Sequence, residues 1–114
     1  MSRPRAGQAE KRGVPSLARA QALSDEGSVV EAISEIERLI ELGPEVHLHL
    51  RKVKFLLQRR NYEEADRELD AAALLSHDNL DIAIARAELY VMTDRLPEAQ
   101  AEFEKALRRT PSDE

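Results

Sequence analysis

The chain has 114 residues, which is an ordinary size for one domain with one core. Apolar residues make up 42% and charged residues 34%, so the chain is too apolar to be disordered and as rich in charge as exposed helices are. The absence of cysteine excludes disulfides, thiolate metal sites and cysteine nucleophiles. The net charge of −5 provides no overall attraction to nucleic acid or to an anionic membrane.

The first segment, residues 1–13, is predicted to be a flexible basic tail. It contains Pro4 and two glycines, its charges are mainly basic, and it has no hydrophobic period. We expect a solvated terminus, and the alternative is an electrostatic contact with an acidic partner or a nucleic acid. The segment lacks the apolar centre of a signal peptide, and no apolar run in the chain approaches the roughly 20 residues of a membrane span. We therefore expect a cytoplasmic protein.

The pattern becomes helical from Val14 onward. The first predicted helix ends at Gly27, as helices often do at a glycine just past the C-terminus. Ser28 with Glu31 three residues later is typical of a capping box, so the second helix is predicted to begin there. It ends at Gly43-Pro44, because glycine permits a left-handed turn and proline can only restart a helix.

The third predicted helix runs from Glu45 to about Arg60. Its opening, residues 47–50, alternates like a strand, but apolar residues continue afterwards at helical spacing with no turn signal between. Asn61 with Glu64 predicts a second capping box, and the fourth helix runs from there to about residue 75.

The fifth predicted helix spans about 80–93, after the turn-forming cluster 76–79. The sixth starts near Leu96-Pro97, where proline fits the first turn, and ends before Pro111. Turns this short make consecutive helices antiparallel neighbours.

The helices repeat in pairs, with a spacing of 33 residues between the first two units and 34 between the next two. A fixed period of this size with two helices per unit indicates an α-solenoid. The equivalent positions are, in the first helix of each unit, Ala20, Val53 and Ala87, then Leu23, Leu56 and Tyr90; in the second helix they are Ala32, Ala65 and Ala99, then Ile36, Leu69 and Phe103, then Leu39, Ala72 and Ala106.

This pattern resembles the tetratricopeptide repeat family, whose period is 34 residues. The resemblance implies an all-α fold: an α-solenoid of three antiparallel helix-turn-helix hairpins wound into a right-handed superhelix. One domain, 14–112, would hold repeats at about 13–45, 46–79 and 80–112. The Leu-Ala-Arg-Ala and Ile-Ala-Arg-Ala strings look like a common bacterial variant of the repeat.

A basic residue precedes the small residue of the first helix in every unit, where the family usually has an apolar one: Arg19, Lys52 and Arg86. We expect each aliphatic stem to lie on the core, with its charged head paired at the edge. The alternative is a functional row of cations.

In this family the first helix of each unit lines the concave side, so the resemblance implies a partner-binding groove there. Its predicted residues are Leu17, Gln21, Leu50, Arg51, Lys54, Leu57, Gln58, Ile84, Glu88 and Val91, with Met92 beside them. An exposed apolar strip beside a basic patch favours a peptide or helix with apolar anchors and a carboxylate. The alternative is that Leu50 and Leu57 simply pack on the adjacent unit.

Some members of the family hold a chaperone's C-terminal tail with a Lys/Asn carboxylate clamp. The equivalent positions here are Leu17, Gln21, Arg51, Asp81 and Ala85, of which only Arg51 could serve, so the clamp is absent. Solenoid ends need polar caps, and no solvating helix is predicted after the last unit. Our hypothesis is a homo-oligomer formed through the C-terminal end. The alternatives are a contact with a further domain and a last helix that caps itself with the polar residues of its outer face, Gln100, Glu102, Glu104 and Lys105.

Neither a catalytic nor a metal site is predicted. His47 and His49 are two residues apart, which places them on different helical faces, and we interpret both as surface histidines. Phosphate loops, nucleophile elbows and metal spacings are missing, so we expect no enzyme and no cofactor.

The leading hypothesis is a non-catalytic adaptor that binds a partner protein through a peptide or helix. The alternatives are a structural self-assembly module and a small chaperone of a bacterial secretion system. Nucleic acid is not expected as a partner, because the chain is acidic and lacks interleaved aromatic residues.

Overall fold

The structure, a computed structural model, describes residues 13–109 and shows them as six α-helices with no strand. The helices are α1 (Leu17–Asp25), α2 (Val29–Leu42), α3 (Val46–Gln58), α4 (Tyr62–Leu75), α5 (Leu80–Met92) and α6 (Leu96–Arg109). Each lies within a few residues of its predicted bounds. The predicted tail, but for Gly13, and the predicted helix end at Pro111 lie outside the described residues. Across 13–109, no helix has the length and apolar character to span a bilayer.

The helices form three stacked hairpins, α1/α2, α3/α4 and α5/α6. Each helix packs against the next one in the chain, and α3 also contacts α5. The stack is elongated, with extents of 58 × 31 × 21 Å. The predicted fold class, an all-α solenoid of helical hairpins, is confirmed.

One type of turn closes all three hairpins. Gly27, Arg60 and Asp94 occupy equivalent positions and have φ of 90°, 59° and 61°. After each of them, a backbone N–H bonds back to a carbonyl five residues earlier: Ser28 to Leu23 at 2.8 Å, Asn61 to Leu56 at 2.9 Å and Arg95 to Tyr90 at 2.7 Å. This is the Schellman arrangement, and it confirms the prediction that α1 ends at Gly27.

Both predicted capping boxes are wrong. The Ser28 side chain makes no capping bond, and Asn61 donates from its side-chain amide to Glu64 at 3.1 Å and accepts no backbone N–H. Both residues follow a Schellman turn directly, which holds their backbones away from the extended conformation of an N-cap. Extended backbone and side-chain capping occur instead at Ser16 and Asn79, which precede α1 and α5.

The prediction of a left-handed turn at Gly43 is also wrong. Its φ is −177°, which is extended backbone open to any residue. Ser76, at the equivalent position after α4, is likewise extended, with φ of −153°. The residue directly after the second helix of a hairpin is therefore extended in both cases. Asp78, two residues after Ser76, has a φ of 56°, so the turn between the second and third hairpins also contains one left-handed residue.

The core consists of two clusters of buried side chains. One surrounds Phe55, which packs with Ala20, Ala32 and Ile36 across the boundary between the first two hairpins. The other contains Leu69 and continues to α5. The predicted small positions are all buried: Ala20, Ala32, Ala65, Ala72, Ala87, Ala99 and Ala106.

The predicted equivalence of Ile36, Leu69 and Phe103 holds in sequence but not in burial. Ile36 and Leu69 are fully buried, whereas Phe103 is 44% exposed. A following hairpin covers the first two, and no helix follows α6 among the described residues. Phe103 is therefore a surface residue.

Candidate functional site

A groove crosses the face formed by α1, α3 and α5. A depression of about 530 Å³ is lined by these three helices alone, with Gln21 from α1 at one edge and Glu88 from α5 at the other. A second depression of about 430 Å³ adjoins it and shares Lys54, Leu57, Gln58 and Glu88 with it. We call these two depressions together the groove.

The structure brings nine of the ten predicted binding residues together in the groove. They are Gln21, Leu50, Arg51, Lys54, Leu57, Gln58, Ile84, Glu88 and Val91. Leu17 is the exception, because it lines a separate depression with Leu39 and Leu48 at the boundary of the first two hairpins.

The predicted apolar strip is only partly a surface. Leu57 is buried, and Leu50 is half-buried against the same core cluster, so both pack largely on neighbouring helices. Ile84 and Val91 on α5 are 40% and 49% exposed. The apolar surface open to a ligand therefore lies mainly on the α5 side of the groove.

Two polar contacts tie α1 to α3 along the groove. Arg51 Nη1 donates to Gln21 Oε1 at 2.8 Å, and Ser24 Oγ donates to Gln58 Oε1 at 3.2 Å. Arg51 therefore has a partner already. Lys54, one turn further along α3, is exposed and makes no hydrogen bond or ion pair within residues 13–109.

Glu88 lies at the position of α5 equivalent to Lys54, and both side chains line both depressions. No ion pair joins Lys54 and Glu88 within residues 13–109. Lys54 and Glu88 thus provide a cation and an anion whose charges a ligand can meet, and Arg51 and Asp81 also line the groove.

The basic residues that precede the small position in each unit, Arg19, Lys52 and Arg86, each have carboxylate partners, as expected. Arg19 lies 3.9 Å from Glu35; Lys52 lies 3.1 Å from both Glu37 and Glu68; Arg86 lies 3.5 Å from Asp66 and 2.8 Å from Asp70. The cations stand at the edge of the stack, on the helix–helix boundaries. A functional row of free cations is therefore not present at these positions.

Burial disfavours the charged form of Lys52, but its hydrogen bonds to Glu37 and Glu68 and their charges outweigh burial and raise the pKa of Lys52. Burial also disfavours the charged form of Arg86. The hydrogen bond to Asp70 and the charge of that carboxylate are the main effects that outweigh burial and raise the pKa of Arg86. Both cations stay charged across the physiological range and serve the scaffold.

The interpretation of both histidines as surface residues is wrong for His49. His47 is exposed and donates from Nε2 to Glu45 at 2.7 Å. His49 is buried, and its Nδ1 is hydrogen-bonded to the Glu68 carboxylate that also pairs with Lys52. The polar partner on α4 is what permits burial, and the sequence of α3 alone does not reveal it. No group of three or more His, Asp or Glu side chains in the described part could hold a metal ion.

The ten predicted residues omit one side chain of the groove that matters. Phe103 of α6 joins Val91 and Met92 around the second depression. Met92 is 46% exposed and lies where the sequence indicated. Phe103 resembles a scaffold residue by its repeat position, and only the absence of a following hairpin among the described residues exposes it.

No protein-family model and no curated protein sequence matches the chain. Solved structures do match it, among them the second tetratricopeptide-repeat domain of Spaghetti (RPAP3) bound to the HSP90 peptide SRMEEVD. The TM-score is 0.67 and the identity 26%, over 82% of this chain and 83% of that one. The helical solenoid seen here is therefore similar to a tetratricopeptide-repeat domain, which agrees with the resemblance in the repeats.

Proposed function

We propose that this chain is a non-catalytic interaction module that binds a peptide or helix of a partner protein in the groove. The observation that carries the proposal is a continuous groove lined mainly by α1, α3 and α5, with exposed apolar side chains and an unpaired cation. Residues 14–112 would act as one domain, built from units at about 13–45, 46–79 and 80–112.

The apolar end of the groove indicates what the ligand carries. Val91, Met92 and Phe103 are each between 44% and 49% exposed and line one depression. Covering them removes apolar surface from water, at roughly 25 cal/mol per Å² buried. The ligand therefore has two or three apolar side chains at the spacing of an amphipathic helix or an extended peptide.

Lys54 and Glu88 set the polar requirement of the ligand. A ligand carboxylate beside Lys54 meets a cation that has no partner within residues 13–109. A ligand cation beside Glu88 completes the match. Charges of this kind contribute mainly to specificity and orientation, and the apolar contacts contribute most of the affinity.

The matched structure supports the class of ligand but not the same peptide. Its tetratricopeptide-repeat domain is bound to a peptide that carries acidic residues. Here the positions of the carboxylate clamp include Asp81 and Ala85, and Arg51 is held by Gln21. We therefore expect SRMEEVD to bind at least about tenfold more weakly to this chain than to the matched domain.

The experiment is a peptide-display selection on the wild-type chain, followed by affinity measurement of the selected peptides on variants. Lys54→Glu should weaken binding about tenfold or more, because it places a like charge opposite the ligand carboxylate. Arg67→Glu is the matched control: Arg67 is an exposed cation on α4, outside the groove. Equal affinity for both variants, or selected peptides without acidic and apolar residues, would contradict the proposal.

A further inference from the structure

The two boundaries between hairpins share one ion-pair geometry. At the first, Lys52 of α3 lies 3.1 Å from Glu37 of α2. At the second, Arg86 of α5 lies 2.8 Å from Asp70 of α4. Lys52 and Arg86 are equivalent positions, and so are Glu37 and Asp70. Each boundary thus joins a cation on the following hairpin to a carboxylate on the preceding one.

The ends of the stack carry the two halves of the same pair. Arg19 of α1 is equivalent to Lys52 and Arg86. It pairs within its own hairpin, with Glu35 at 3.9 Å, as Lys52 does with Glu68, but no carboxylate of another hairpin pairs with it within residues 13–109, and its side chain is 40% exposed. Glu104 of α6 is equivalent to Glu37 and Asp70. It is exposed, and within residues 13–109 it accepts only from Gln100, one turn away, at 3.2 Å.

The apolar side chains of the two ends are complementary in size. Phe55 packs in one cluster with Ile36 at the first boundary, and Leu89 shares a cluster with Leu69 at the second. The equivalent positions at the ends are Ala22 on α1 and Phe103 on α6, and both are exposed. Ala22 is the smallest of the equivalent residues Ala22, Phe55 and Leu89, and Phe103 is the largest of Ile36, Leu69 and Phe103. A small side chain on α1 would therefore face a large one on α6.

We propose that copies of this chain associate head to tail, with α1 of one copy docked on α6 of the next. The contact repeats the internal boundaries: Arg19 of one copy pairs with Glu104 of the other, and Ala22 covers Phe103. Because the two faces differ, every assembly retains one free α1 face and one free α6 face at its ends, and the association forms open chains of increasing length. This inference concerns the ends of the stack and shares one residue, Phe103, with the groove.

The test uses two variants that each block one face. Ala22→Asp disrupts the α1 face and Phe103→Asp the α6 face, and circular dichroism verifies that both keep wild-type helicity. Sedimentation of the wild type should show an average mass that increases with concentration. Each variant alone should remain monomeric, and their equimolar mixture should form a heterodimer and nothing larger, because one intact face of each kind remains.

A further variant tests the charge without altering the core. Glu104→Arg places a cation opposite Arg19 and should weaken association about tenfold. Leu74→Asp is the control, since Leu74 is an exposed apolar residue on α4 outside both faces, and it should associate as the wild type does.

Three results would overturn the proposal. If the wild type stays monomeric at concentrations on the order of 1 mM, the proposed head-to-tail association does not occur. If Phe103→Asp loses association while Ala22→Asp associates as the wild type does, the contact is a symmetric one between two α6 faces. Unchanged association in Glu104→Arg shows that the ion pair is not at the contact.

Discussion

Lys52 and Glu68 form a largely buried ion pair, with 3.1 Å between the ammonium and one carboxylate oxygen. The other carboxylate oxygen is hydrogen-bonded to His49. The side chains of Lys52 and Glu68 are each only 12% exposed. One carboxylate on α4 therefore satisfies two buried polar groups of α3, and Lys52 continues to Glu37 of the preceding hairpin.

Glu68→Ala should lower the free energy of unfolding by about 3 kcal/mol, because it leaves Lys52 and His49 buried with fewer partners. Urea denaturation at pH 7 measures the effect. Glu63→Ala, on the exposed first turn of α4, is the control and should change stability by no more than about 0.5 kcal/mol. Equal effects of the two changes would show that the network contributes nothing.

Lys52 should make stability depend on alkaline pH. Its pKa is raised in the folded chain, so its contribution is fully present below the ordinary lysine pKa of about 10.4 and is lost as the pH rises through the raised value. The difference in unfolding free energy between the wild type and Lys52→Met should therefore be largest near pH 8 and shrink above about pH 10.4.

Denaturation curves between pH 8 and pH 12 measure that difference. Lys105→Met is the control, because Lys105 is half exposed and its ion-pair partner, Glu102 at 3.4 Å, lies on the same helix. A wild-type advantage over Lys52→Met that stays constant across this range would contradict the assignment.

The two phenylalanines should respond in opposite ways to truncation. Phe55→Ala removes a fully buried ring from the boundary of the first two hairpins and should cost about 3–5 kcal/mol. Phe103→Ala, measured at a concentration where the chain is monomeric, should cost less than about 1 kcal/mol because its ring is exposed. Thermal unfolding monitored by circular dichroism gives both values, and a costly Phe103→Ala would place that ring in the core.

The φ angles of Gly27, Gly43 and Arg60 predict how a substitution at each position changes stability. Gly27→Ala should destabilise by about 1 kcal/mol, because a φ of 90° strains any side chain even though the added methyl meets no atom within 4 Å. Gly43→Ala, at an extended φ with the same open space, should be neutral or stabilise slightly. Arg60→Gly should relieve strain at the position equivalent to Gly27 and stabilise by roughly 0.5 kcal/mol. Unfolding midpoints rank the three, and a Gly43→Ala more harmful than Gly27→Ala would contradict the account of the turns.

Local details of the turns could not be predicted from sequence signatures alone. Ser28 and Asn61 carry the residues of an N-cap, but the preceding Schellman turn already fixes their backbones. Ser16 and Asn79 cap their helices because the chain reaches them extended. The signature names residues that can cap, and the backbone conformation decides which of them do.

Nine of the ten predicted groove residues come together in the structure, because a helix displays a fixed face once its period is known. Leu17 does not join them, and Leu57 is buried, which agrees with the alternative that it packs on the adjacent unit. The position of Leu17 and the burial of Leu57 depend on how closely neighbouring hairpins approach, and the repeat spacing does not determine that distance.

The sequence by itself determined the six helices, their pairing into hairpins and the small buried positions, because periodicity and turn residues act locally and recur every 33 or 34 residues. Only the tertiary structure decided which side chains at equivalent positions are covered. Ile36 and Phe103 occupy the same place in the repeat, yet one is fully buried and the other is on the surface. His49 is buried because Glu68 of another helix accepts its hydrogen bond. Burial depends on what the neighbouring hairpin brings to a position, and that neighbour lies far away along the chain.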